Sequence, residues 1–125
     1  MLAIAPGWEL TVERGPDWLL VRIHTASEAP EAPPLADEVW EQLCRHFTYR
    51  LVLELNQVQV LNSHLIGQLV QLYKRIREHG GVMRVCGLSA YNRQVLQTCN
   101  LENHFPDYQD RAEAVMATRH PRRPR

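Results

Sequence analysis

The sequence lacks both of the glycine-rich loops that cradle phosphates. None of its six glycines falls in a G-x-G-x-x-G or G-x-x-x-x-G-K-[ST] pattern, so no nucleotide-binding signature is present. There is no G-x-S-x-G elbow to organise the serines, histidines and aspartates into a hydrolase site. The three cysteines, Cys44, Cys86 and Cys99, form no CxxC pair and no even disulfide framework. Free thiols predict a reducing, cytoplasmic setting. His24 and His46 are isolated, with no ligand at helical spacing, so no metal site is expected. No apolar run approaches the roughly 20 residues of a membrane span. The opening MLAIAPGWEL has neither the basic nor the long apolar region of a secretory signal. Net charge is absent as well, with 14 Lys+Arg against 14 Asp+Glu. Four of the bases, Arg119, Arg122, Arg123 and Arg125, lie in the last seven residues, which leaves 10 bases against 14 acids in the body. An acidic body is a poor platform for nucleic acid. The basic, Pro-containing tail 118–125 is expected to be disordered and dispensable for folding.

What is present reads as a single domain over residues 1–117. Trp8 to Arg14 alternates apolar and polar side chains, the period of a half-buried strand. Gly15-Pro16-Asp17 is a turn, and Trp18 to His24 forms a second strand, so the pair predicts an antiparallel hairpin. Three prolines make 25–34 a loop. Leu35, Val39, Trp40, Leu43, Cys44 and Phe47 then recur on one face of a helix. Arg50 to Leu55 is a buried strand, and Val58 to Leu61 is expected to extend it. Asn62 or Ser63 caps the strongest helix, 63–79, whose inner face carries Ile66, Leu69, Val70, Tyr73 and Ile76. Val82 to Cys86 is the next strand, Ser89 leads into another helix, and Asp110 opens a last short one. Cys44, Cys99, Trp18 and Trp40 read as core fillers. Alternating strands and helices at these spacings predict parallel pairing beside the opening hairpin, hence an α/β fold.

The most reactive-looking stretch is the strand-to-helix step Val60-Leu-Asn-Ser-His-Leu-Ile-Gly67. A hydroxyl there sits among orphan N–H groups at the positive end of a helix, which suits a cap and equally a regulated phosphate.

The run from Leu51 to Leu69, LVLELNQVQVLNSHLIGQL, resembles without gaps the core of the STAS domain of anti-sigma factor antagonists. In that family a strand ends in Asp and D-S-S-G-L-G-x-L opens a helix. The likeness continues through Leu72 to Gly81, Val85 to Ser89, Val95-Leu96, Leu101 and His104-Phe105-Pro106. It implies a STAS-like small mixed β-sheet of four or five strands with helices packed mainly on one face. It further implies a non-enzymatic signalling module that docks a kinase-type anti-sigma factor or a related signalling assembly. Glu54, Asn56, Asn62, Ser63, His64 and Gly67 would form the partner-binding surface, with no cofactor, no direct nucleic-acid contact and no membrane insertion. The departures are specific. Glu54 stands for the strand-end Asp and Asn62 for the Asp before the serines. Ser63 keeps the first serine, while His64 replaces the second, the phosphoacceptor of sporulation-type antagonists. Leu65 replaces a Gly and Gly67 keeps one. Stressosome-type relatives use the hydroxyl directly after the Asp, so Ser63 is the phosphoacceptor that the resemblance implies. Competing readings are a capping Ser63 in a switchless docking domain, a phosphohistidine at His64, a STAS-like subunit of a membrane lipid-transport complex, and a small enzyme built on Ser63 or His64.

Overall fold

The computed structural model describes residues 2–25 and 34–117; the basic tail expected to be disordered lies outside them. Five strands form one mixed sheet in chain order. They are β1 (Leu2–Ala5), β2 (Trp8–Arg14), β3 (Leu19–Thr25), β4 (Arg50–Glu54) and β5 (Val82–Cys86). β1–β2 and β2–β3 pair antiparallel, whereas β3–β4 and β4–β5 pair parallel. The helices are α1 (Leu35–Arg45), α2 (Ser63–Glu78), α3 (Ala90–Thr98) and α4 (Arg111–Met116).

Alternation along the strands creates two unequal cores. Leu51, Leu53 and Leu55 face the layer formed by α1, α2 and α3. Val52 faces a smaller cluster with Trp18, Cys86, Tyr108 and Ala114, which α4 covers. Three helices thus pack on one face and one on the other. The buried stripe of α2 is Leu65, Leu69, Leu72 and Ile76. Ile66, Val70 and Tyr73, expected at its centre, flank it half-buried. Every third or fourth position is apolar on both sides of this stripe, so spacing alone does not choose its midline.

Four other expectations change. β1 was not anticipated; Pro6-Gly7, with Gly7 at φ 79°, makes the tight turn that folds it onto β2. Val58 to Leu61 is a loop, not a strand extension, with Val58 and Leu61 buried and Gln59 and Val60 exposed. Phe47 leaves the helix face and is 85% exposed. Cys99 is exposed rather than core, because α3 ends at Thr98 and Cys99 is its C-cap residue.

Candidate functional site

The residues singled out between Glu54 and Gly67 all follow from how β4 passes into α2. Asn62 is extended, with φ −86° and ψ 175°, and its side-chain Oδ1 accepts the backbone N–H of Leu65 at 2.9 Å. Asn62 is therefore the N-cap. Ser63 is the first residue of the helix and is exposed. Among the described residues no hydrogen bond holds its hydroxyl. The first turn of this 16-residue helix contains no acid, so no side chain of that turn offsets its positive end.

Asn62, Ser63, His64, Gly67 and Gln71 form one exposed stripe across two turns of α2. A Cβ on Gly67 would meet nothing within 4 Å, so Gly67 keeps this stripe low without being needed for packing. Leu65, which replaces a family glycine, points into the core at 2% exposure and does not alter the surface. The loop before the helix adds exposed Asn56, Gln57, Gln59 and Val60. The surface is thus polar and open, built without Asp, Glu, Lys or Arg and with one aliphatic side chain.

Asn92 of α3 fixes that loop, and nothing in the spacing of the sequence pointed to it. It is fully buried; its Nδ2 donates to the Val58 carbonyl and its Oδ1 accepts from the Leu61 N–H, each at 3.0 Å. One amide side chain so supplies a donor and an acceptor to two loop groups and sets the approach to Asn62. Gly87 does the same for Asn56 by its size. It has φ 74°, and a Cβ there would lie 2.9 Å from that of Asn56.

Glu54 is set apart from this surface. It points to the α4 face and is 4% exposed. Arg22 Nε and Nη2 donate to its Oε2 at 2.8 and 2.6 Å, and Arg111 Nε donates to its Oε1. Arg111 also reaches Glu13 through Nη1. This carboxylate ties α4 to the sheet, and a partner on the Ser63 side would not meet it directly. Burial, with the charges of Glu54 and Asp110, pushes the neighbouring Cys86 thiol up to about 12, against the opposite pull of Arg111 and Arg22.

Ser63 and His64 are sequence neighbours, and both are exposed. Among the described residues no group of three or more His, Cys, Asp or Glu could hold a metal ion. No helix among them is long and apolar enough to cross a membrane.

The chain belongs to the STAS domain family, whose family model matches residues 9–114. Solved structures share the fold. An anti-sigma factor antagonist from Mycobacterium paratuberculosis is 21% identical, superposes with a TM-score of 0.73, and has 95% of its length matched by 90% of this chain. An anti-sigma-factor antagonist (STAS) domain protein from Planctomyces limnophilus is 23% identical with a TM-score of 0.61, over 86% of this chain and 96% of its own. The Bacillus cell fate determinant SpoIIAA in its phosphorylated form is 13% identical with a TM-score of 0.63, over 87% of this chain and 98% of its own. No curated protein matches the chain at a significant level.

Proposed function

We propose that this chain is a cytoplasmic, non-enzymatic docking module of the anti-sigma factor antagonist kind, switched by phosphorylation of Ser63. The observation that supports it is the division of labour between Asn62 and Ser63. Asn62 caps the helix, which leaves an exposed hydroxyl at the helix start with no structural duty. Unmodified, the stripe Asn62, Ser63, His64 and Gly67 with Asn56 beside it binds a serine-kinase-type anti-sigma factor or a related signalling protein. A phosphate on Ser63 adds about −1.5 to −2 charge to a contact that holds no acid or Lys/Arg, and ejects the partner, because that charge must be desolvated on docking. The phosphorylated state of the structural relative SpoIIAA is in keeping with this chemistry. His64, where sporulation-type antagonists carry a serine, makes the stripe bulkier and selects a partner with room for an imidazole.

Affinity capture from the host lysate, with mass spectrometry of both the bound proteins and Ser63, tests the reading. The expected result is a protein with a kinase-type ATP-binding fold in the bound fraction and phosphoserine at 63 only in the unbound fraction. Equal capture by the Ser63-phosphorylated and unmodified forms would overturn the switch.

A further inference from the structure

Three helices of this chain end in the same hydrogen-bonding pattern, and one of them uses an unsuitable residue. In α2 the Gly80 N–H bonds to Arg77 O and the Gly81 N–H to Ile76 O, with Gly80 at φ 72°. In α3 the Asn100 N–H bonds to Gln97 O and the Leu101 N–H to Leu96 O, with Asn100 at φ 58°. In α1 the Phe47 N–H bonds to Cys44 O and the Thr48 N–H to Leu43 O, with Phe47 at φ 49°. These are Schellman caps, whose left-handed position suits glycine and, less well, asparagine. A phenylalanine there carries the steric cost of a Cβ in the left-handed region. Phe47 is also 85% exposed, so packing does not offset the strain. Strain and exposed apolar area thus coincide at one side chain, which stands out as a knob. Exposed Arg14, Asp17 and Arg50 line the groove beside it. Among the described residues Arg14 is in no ion pair, and Arg50 lies over the Trp18 ring at 4.5 Å.

A complementary hollow lies elsewhere on the same chain. Between α3 and the segment 101–107 is a cavity of about 390 Å³, in which Leu88, Leu96 and Phe105 are joined by polar side chains such as Arg93, Gln97 and Asn103. Such a volume is in the range that takes groups larger than one phenyl ring. Its rim carries exposed Glu102, which is in no ion pair among the described residues, and Asp107, paired to Arg93 at 3.0 Å. The groove at the knob carries two cations against one acid, and the hollow two acids against Arg93, so the surpluses are of opposite sign. They belong to different elements, the α1–β4 turn and the α3 flank. With 14 bases against 14 acids, net charge does not hold copies apart.

We propose that Phe47 of one copy inserts into the Leu88–Leu96–Phe105 hollow of a second copy, with Arg14 and Arg50 facing Glu102. Knob and hollow are different surfaces, so the contact is head-to-tail and propagates into rings or short chains. A single aromatic anchor places it among small, transient interfaces, below about 1,200 Å².

Sedimentation velocity of the full chain over a concentration series tests this, using Phe47→Gly, which removes the knob, and Glu102→Arg, which reverses the rim. Wild type is expected to associate beyond the dimer as concentration rises, and each variant alone to remain monomeric. A mixture of the two variants retains one intact knob and one intact hollow per pair. For Glu102→Arg that knob is Phe47, but its own rim is dead; Phe47→Gly supplies the good rim. The mixture should therefore form a dimer and stop there. Phe47→Gly should also raise the melting temperature, because it relieves the cap. A monomeric wild type at high concentration, a mixture that stays monomeric, or a Phe47→Gly variant that melts earlier would each overturn the proposal.

Discussion

At the scale of single residues the decisive distinction is between Asn62 and Ser63. Both types cap helices well, so the sequence left the choice open; the backbone made it by placing Asn62 in the extended conformation that a cap requires. Asn62→Ala is therefore expected to cost about 1 kcal/mol in a thermal or denaturant melt, and Ser63→Ala to leave the melt unchanged. The reverse order would return Ser63 to a structural role. Cys86 and Cys99 separate in the same way. Burial pushes the Cys86 thiol up from its ordinary 9.0 to about 12. Its neutral form therefore contributes stability that is complete below the unfolded value and is lost as pH rises from 9.0 towards 12. At about pH 8, a thiol reagent should modify exposed Cys99 and reach Cys86 only after unfolding. Modification of Cys86 in the native protein would contradict its burial.

At the scale of elements the sequence was most legible where one period dominates. The helix over 63–79 and the strands over 50–55 and 82–86 fall within a residue of their observed bounds. The inner face of α2 was harder, since its apolar residues exceed the buried stripe. Leu69 lies in the stripe under either reading and is 1% exposed. Leu69→Ala should cost about 2–5 kcal/mol, the lost transfer energy plus a cavity; an unchanged denaturation midpoint would show the site to be lax. Val58 to Leu61 resembles a strand in sequence because Val58-Gln59-Val60 alternates apolar and polar, but in the structure it exposes both Gln59 and Val60. Its actual partner is the Asn92 side chain, 31 positions from Leu61, and no local pattern reports so distant a contact. The role of Glu54 was hidden for the same reason, since Arg111 is 57 residues away. Glu54→Gln should destabilise by about 1–3 kcal/mol, because its oxygens serve two arginines in a buried position. Glu13→Gln, at a carboxylate 53% exposed, should cost under about 1 kcal/mol. Equal losses in urea melts would mean that α4 is not held through Glu54.

At the scale of the whole molecule, the order of elements and the run from Leu51 to Leu69 carried both the architecture and the family. β1 escaped because four residues are too few to show a period, although Pro6-Gly7 marked its turn. The site was legible as a stretch of chain, but not as a surface. Two faces of one sheet divide it, with the arginine-held Glu54 on one and the Asn56-to-Gly67 stripe on the other. The proposed function then rests on whether one negative charge at the start of α2 is enough to break a protein contact. The most direct measurement is a binding titration of the captured kinase-type partner against wild type, Ser63→Ala and Ser63→Asp. Ser63→Ala should bind as wild type does, and Ser63→Asp should bind at least about tenfold more weakly, a loss of roughly 1.4 kcal/mol. Wild-type affinity in Ser63→Asp, with its fold intact, would contradict the switch and make this surface a constitutive dock.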